Sequence, residues 1–256
     1  MARRIALVTG AGRGIGRSIA LGLARLGHRL ALTARSPGEL DEVVREVEAA
    51  GGEAFAITAD LAKKPVPQQV LGQIAGRWGA VEILINNAGV GSSANPKPLV
   101  DFDDDFWDYT LALNVTAPYL LTKHALPSMI AAGWGRIINI SSLNAKIPAL
   151  HGAAYTASKH AIAGLTKATA KEVAAHGITC NAVCPGVTAT LMNDRRLEYD
   201  SARTGSSFAA LEAAASPLGR RITPDEVAAA AVFFASEEAG AINGQLLNVC
   251  GGTVME

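Results

Sequence analysis

The chain has 256 residues, 49% of them apolar, which suits one α/β domain whose core needs no disulfide or metal staples. Lys and Arg total 23, as do Asp and Glu, so no net field draws in nucleic acid or an anionic membrane. No apolar run approaches the roughly 18 residues needed to cross a bilayer.

The opening Met1-Ala2-Arg3-Arg4 passes at once into Ile5-Ala6-Leu7-Val8 with no small-residue cleavage site, so a cytoplasmic protein is expected. From there to the end, short β-branched runs alternate with amphipathic stretches. That is the pattern of a parallel sheet covered by helices on both faces. The predicted strands are residues 5–9, 29–33, 54–58, 83–86, 136–140, 179–184 and 246–249, with no repeat or linker, so residues 1–256 are read as one domain. After the first strand and a glycine-rich turn, a helix is expected over 17–26. Ser36-Pro37-Gly38-Glu39 has the residues of a capping box with proline at the first helical position, and Gly51-Gly52 ends that helix. Asp103, Asp104 and Asp105 place negative charge on the first turn of a later helix, and Thr223-Pro224-Asp225-Glu226 repeats the capping device. Residues 191–217 show little strand or strong helix character, and a segment of that length predicts a substrate lid or binding loop at about 187–217. Cys180, Cys184 and Cys250 lie in apolar stretches without CxxC spacing or a histidine at zinc-site distance. They are expected to be small buried hydrophobes, and no metal site is expected.

Gly10, Gly14 and Gly16 follow the first strand and open a helix. Such a turn lets backbone approach a pyrophosphate whose charge meets the helix N-terminus, although strict GxGxxG spacing is absent because the sixth position is Ile15. The second strand runs into Thr33-Ala34-Arg35-Ser36, with no carboxylate to take the ribose 2′-hydroxyl of NAD. Arg35, and Arg13 inside the glycine turn, suit the 2′-phosphate of NADP(H) instead. The alternative is that both are solvated surface arginines.

Tyr155 and Lys159 are four apart in a predicted helix over 154–176, so both project from one face. An adjacent ammonium favours phenolate and brings a tyrosine's proton affinity toward the working range. Ser142 follows Ile137-Ile138-Asn139-Ile140 and so stands at the carboxyl end of a strand, where open α/β sheets bind ligands. Its hydroxyl is placed to hold a carbonyl oxygen beside the tyrosine. A lone Tyr-x-x-x-Lys pair is ordinarily a helix-surface contact; the serine and the glycine turn in the same chain give it the catalytic reading.

Over nearly its whole length the chain resembles the short-chain dehydrogenase/reductases. The motifs occur in the family's order: Thr9-Gly10-x-x-x-Gly14-Ile15-Gly16, Asp60, Asn86-Asn87-Ala88-Gly89, Asn114, Ser142, Tyr155-x-x-x-Lys159 and Pro185-Gly186. The resemblance implies a Rossmann-type doubly wound domain with a seven-stranded parallel sheet in the order 3-2-1-4-5-6-7. It implies catalytic roles for Asn114, Ser142, Tyr155 and Lys159. It places Asp60 and Leu61 near the adenine, Asn87, Ala88 and Gly89 along the cofactor groove, and Pro185, Gly186, Val187 and Thr190 at the nicotinamide end. Tyr155 and Lys159 are also implied to touch the cofactor. Reduction of a ketone follows, with hydride from the cofactor and a proton from Tyr155. Ser142 would bond the developing oxyanion, Lys159 would lower the tyrosine's pKa, and Asn114 would anchor a proton-relaying water. A helix-interior amide bonded to backbone is the alternative for Asn114.

Within the family, residues 151–160, 177–186 and 247–252 look most like ketoreductases of aromatic polyketide synthesis and 3-oxoacyl carrier-protein reductases. Both take β-ketoacyl thioesters, and Arg195, Arg196 and Arg203 in the lid would meet an acidic carrier protein or a coenzyme A phosphate, or simply be solvated. The loop 90–100 departs from the polyketide-type sequence, and His151 is a candidate pocket residue. Two other readings stay open: an NAD(P)-dependent alcohol or 3-hydroxy-acid dehydrogenase running oxidatively, and a non-catalytic NADP-binding redox sensor. The resemblance also implies a homotetramer built through the long helices, where Ala161, Ala163, Gly164 and Ala168 offer a small-residue surface.

Overall fold

A computed structural model describes residues 3–255; Met1, Ala2 and Glu256 lie outside the described residues. Strands β1 (Ile5–Thr9), β2 (Arg29–Ala34), β3 (Glu53–Thr58), β4 (Ile83–Asn86), β5 (Gly135–Ile140), β6 (Ile178–Pro185) and β7 (Leu246–Val249) form one sheet in the order 3-2-1-4-5-6-7, and every pairing is parallel. Each predicted strand is present, with ends shifted by a residue at most.

Parallel pairing needs helical crossovers, and these cover both faces of the sheet. Period-2 alternation decides which strand residue meets which helix layer. Ala6, Val8, Ile83, Ile85, Ile138 and Ile140 pack with helices α1 (Gly14–Arg25), α2 (Pro37–Ala49) and α9 (Pro224–Phe234). Their neighbours Leu7, Leu84 and Ile137 pack on the other face with α3 (Val66–Arg77), α5 (Ala117–Ala132) and α6 (Ala153–Val173). A further helix, α4 (Asp104–Leu111), runs through a π-turn at Ala112–Thr116 into α5.

The cysteines are free and buried, as expected. Asp103 is the N-cap of α4, accepting from the Phe106 amide at 2.9 Å. The capping box at Thr223 is complete, but the one at Ser36 is not: the Ser36 side chain makes no cap bond, and the Glu39 carboxylate pairs with Arg13. Residues 191–217 also depart from expectation. They form α7 (Leu191–Thr204) and α8 (Phe208–Ala213); the polar composition of α7 and the shortness of α8 hid them. Leu197 alone is buried in α7, and polar contacts do the rest: Arg221 reaches Asp194 at 2.5 Å and Glu212 at 2.6 Å, binding the two helices together.

Strand order reverses between β1 and β4, and a single hydroxyl joins their carboxyl ends. Thr9 Oγ1 accepts the Asn87 and Ala88 amides, both at 2.9 Å, and donates to the Ile85 carbonyl at 3.1 Å. The Asn87 side chain donates in return to the carbonyls of Thr9 and Gly10 at 2.8 and 3.1 Å. Thr9→Val keeps the shape and strands both amides in a buried site. We expect a loss of about 2–4 kcal/mol in urea unfolding, with Thr9→Ser near wild type. A Thr9→Val midpoint equal to wild type would contradict this role.

Candidate active site

The carboxyl ends of β1, β4, β5 and β6 open a crevice at this reversal, the position where doubly wound sheets take ligands. On one side lies the glycine turn. Gly10 and Gly14 sit at φ 63° and 54°, in the left-handed region open to glycine. A Cβ on Gly16 would stand 2.2 Å from the Gly10 carbonyl oxygen and 2.6 Å from Asn87 Nδ2, so the turn closes on Asn87 only because position 16 is bare. Helix α1 begins at Gly14 with no side-chain cap and no acid in its first turn. Its free N–H groups and dipole therefore face the crevice edge uncompensated, which fits a pyrophosphate. Thr190, at the foot of α7, packs against Gly14: its methyl lies 3.2 Å from where a Cβ would be.

Further along the sheet edge, Arg35 and Ser36 are exposed after β2, and Asp60 follows β3, its Oδ1 accepting the Ala62 amide at 3.2 Å, with Leu61 buried beside it. Neither arginine is a free solvated cation. Arg13 pairs with Glu39 at 2.9 Å and Arg35 donates to the Tyr109 hydroxyl at 2.9 Å. Ala34 stands where an acid would bind a 2′-hydroxyl, and no carboxylate replaces it within β2.

On the other side, β5 delivers Ser142. Its hydroxyl accepts the Asn144 amide at 3.1 Å, capping a short turn, donates to Asn144 Oδ1 at 3.3 Å, and lies near enough to the Tyr155 phenol to favour its ionised form. Lys159 is one turn along α6, with Nζ 5.5 Å from the Tyr155 ring centre and donating to the Ile140 carbonyl at 2.9 Å. Sequence spacing therefore brings Ser142, Tyr155 and Lys159 to one place.

The expected tuning of tyrosine by lysine differs from what the site shows. Burial dominates both groups: it raises the Tyr155 phenol, only partly offset by the Ser142 hydroxyl, and lowers the Lys159 ammonium from 10.5 to about 8. The lysine's hydrogen bond goes to a carbonyl rather than the phenol. Burial thus shifts each group toward its neutral form.

Asn114 lies in the π-turn, and its side chain is already committed. Nδ2 donates to the Val90 carbonyl at 2.9 Å and to Ser158 Oγ at 3.1 Å, while Oδ1 accepts the Val90 amide at 2.9 Å. Both amide donors are used, so the expected water anchor does not rest on this side chain's N–H groups. Asn114 instead ties the strand-end segment at Ala88, Gly89 and Val90 to α6. Ser158, fully buried and donating to the Tyr155 carbonyl at 2.7 Å, completes that link. Sequence reading passed over Ser158; a small hydroxyl between Tyr155 and Lys159 on a packed helix face was the available signal.

Pro185 ends β6, and Gly186 and Val187 carry the chain out over the crevice toward Thr190. From there α7 is fastened to the loops beside Tyr155. His151, the one described non-glycine residue at positive φ (57°), bonds the Tyr199 hydroxyl at 2.6 Å, Arg196 donates to the Leu150 carbonyl at 3.0 Å, and Ser93 donates to the Met192 carbonyl at 2.8 Å. Arg196 and Arg203 both pair with Asp200, whose single charge offsets part of the basic face expected there, and Arg195 stays exposed. Among the described residues no cluster of ligating side chains forms a metal site, and no helix is long and apolar enough to cross a membrane.

The lowered Lys159 pKa sets a stability window. Between about 8 and 10.5 the unfolded chain holds more protons at this group than the folded one, so its contribution to stability rises with pH across that range. Lys159→Met removes a buried charge that is penalised at pH 7. We expect its melting temperature there to rise by roughly 2–4 °C, with the gain shrinking by pH 9.5. A lower melting temperature at both pH values would contradict this.

The short chain dehydrogenase family profile matches residues 4–200. A protein of Streptomyces violaceoruber, assigned as ketoacyl reductase 1 of the granaticin polyketide synthase, is 40% identical, with 98% of this chain and 93% of that protein covered. The D-beta-hydroxybutyrate dehydrogenase of Cupriavidus necator is 35% identical over 99% of this chain and 98% of its own length. A crystal structure of actinorhodin polyketide ketoreductase with NADPH superposes with a TM-score of 0.92 at 36% identity, covering 98% of this chain and 97% of that one. With motifs, sheet order and these likenesses in agreement, the chain belongs to the short-chain dehydrogenase/reductase family and is an oxidoreductase.

Proposed function

We propose that this protein is an NADPH-dependent ketoreductase that converts a ketone, of the β-ketoacyl thioester or polyketide class, to a secondary alcohol. The observation that carries the reading is the gathering of Ser142, Tyr155 and Lys159 at the carboxyl end of β5, with Lys159 Nζ 5.5 Å from the Tyr155 ring centre and burial favouring the protonated phenol. Reduction needs an acid that arrives with its proton, and burial favours the protonated phenol here.

A nicotinamide held in this crevice would supply the hydride for the carbonyl carbon. Ser142 donates to the carbonyl oxygen where negative charge develops, and Tyr155 passes its proton to that oxygen. Lys159 brings positive charge to the phenol as the proton leaves and restores it afterward. Asn114 is a positioning residue, holding Val90 and α6 in register. Gly10, Gly14, Ile15 and Gly16 receive the pyrophosphate, and Asp60 and Leu61 the adenine. Asn87, Ala88 and Gly89 line the groove, and Pro185, Gly186, Val187 and Thr190 form the nicotinamide end. Arg13, Arg35 and Ser36 receive the 2′-phosphate. The segment 187–217 is the substrate lid, with His151 and Tyr199 at its hinge side.

Support for a ketoacyl substrate comes from the granaticin ketoacyl reductase, and for NADPH from the actinorhodin structure. Exposed Arg195 is the remaining lid cation for a carrier protein or coenzyme A. A homotetramer in the cytoplasm completes the proposal. Ala161, Gly164 and Ala168 form an exposed small-residue face on α6, from which Ala163 turns inward, and Phe233, Leu247 and Met255 leave an apolar edge at α9 and β7. The hydroxybutyrate dehydrogenase likeness favours one second reading, oxidation of a 3-hydroxy acid.

Steady-state assays with NADPH and NADH against β-keto thioesters, free β-keto acids and other ketones separate these readings. We expect turnover with NADPH on thioesters, falling by at least about a thousandfold in Tyr155→Phe. Cofactor binding without turnover on any carbonyl would overturn the proposal in favour of a sensor. Arg35→Asp is expected to weaken NADPH binding about ten- to a hundredfold by fluorescence titration, and unchanged affinity would refute the 2′-phosphate assignment.

A further inference from the structure

The ion pair between Arg13 and Glu39 is unexplained by local folding rules. At Thr223 a capping box closes fully, with Glu226 returning to the N-cap amide at 2.8 Å. Ser36-Pro37-Gly38-Glu39 carries the same residue types, yet its box stays open. The Glu39 carboxylate leaves its own helix end and crosses to Arg13 Nη1 at 2.9 Å, while its Oε2 lies 3.0 Å from where a Cβ on Gly12 would stand. A residue that forgoes its cap to lie on the glycine turn sits beside the ground assigned above to the 2′-phosphate.

We infer that Glu39 is a specificity-determining residue: a resident anion on Arg13 that a 2′-phosphate must displace, and which therefore restrains the preference for NADP(H) over NAD(H). The inference rests on the proposed reading that Arg13 and Arg35 receive that phosphate. The pair is exposed, at 61% for the Arg13 side chain and 35% for Glu39, so opening it costs little. Displacement does not remove the carboxylate, which stays tethered one turn into α2. Its charge then lies well inside a Debye length of the phosphate and repels it. Arg35 carries no such handicap, because its partner is the neutral Tyr109 phenol. A cofactor with only a 2′-hydroxyl meets neither the competition nor the repulsion, so Glu39 acts on one cofactor and spares the other.

The test uses adenosine 2′,5′-bisphosphate and 5′-AMP, which differ only in the 2′-phosphate, titrated calorimetrically into the wild-type protein and Glu39→Gln. Glu39→Gln should bind the bisphosphate about three- to tenfold tighter, leave 5′-AMP unchanged, and lose most of the gain at high salt. Unchanged bisphosphate affinity would overturn the inference. Weaker affinity would also overturn it, by showing that Glu39 merely holds Arg13 in position. Arg13→Ala, which should reduce the wild-type preference for the bisphosphate and leave the part due to Arg35, separates the two levels: a wild-type protein without that preference refutes the cofactor reading itself, and this inference with it.

Discussion

The Thr9 hydroxyl binding the carboxyl ends of β1 and β4 is the constraint on which the rest of the crevice depends. Strand order reverses there, so the helices after β1 and β4 leave on opposite faces, and beyond the last paired residues, Val8 and Ile85, side chains take over the link. Without a third partner, the amides of Asn87 and Ala88 would point into an unfilled seam. Thr9 Oγ1 takes both, and Asn87 returns two bonds to the carbonyls of Thr9 and Gly10. The glycine turn is thereby pressed onto Asn87, closely enough that a methyl at position 16 would collide with backbone. One hydroxyl thus sets the gap between the cofactor side and the chemical side.

Buried amides carry that alignment to the catalytic helix. Asn86 donates to Asn139 at 2.9 Å, and Asn139 donates to Thr166 on α6 at 2.8 Å, linking β4, β5 and the helix bearing Tyr155 and Lys159. Asn114 makes the corresponding tie from the π-turn to Val90 and Ser158. A π-turn widens the helix locally and re-aims one side chain, which is why such turns recur at functional sites. These bonds are strong because the surroundings are dry. The same dryness raises Tyr155 and lowers Lys159, so rigidity and proton retention have one cause.

The two ends of the sheet are specialised in opposite ways. At the amino ends of the strands, Arg4 joins Glu82 at 2.7 Å and Glu237 at 3.1 Å and stacks 3.9 Å over Trp134. Arg136, buried beneath, lies 4.6 Å from the same ring and donates to the Ser236 carbonyl at 3.1 Å. Charges there are matched and covered. At the carboxyl ends, uncapped α1 and α2 and the exposed pair of Arg13 and Glu39 leave polar groups available for ligands.

Strand positions, sheet order and the meeting of Ser142 with Tyr155 and Lys159 were legible in the chain itself. Alternating apolar residues specify faces, a four-residue helical spacing specifies a shared side, and the ordered motifs supplied topology through family resemblance. Residues 191–217 were not legible as helix, because α7 and α8 are held by Arg221 with Asp194 and Glu212 and by His151 with Tyr199, contacts distant in sequence, rather than by an apolar stripe. The open cap at Ser36 was hidden for the same reason: whether Glu39 turns to its own helix or to Arg13 depends on where β1 and β2 set the two turns. Protonation tendencies were out of reach as well. Spacing alone places an ammonium near a phenol, but burial, a property of the folded whole, decides which form each one holds.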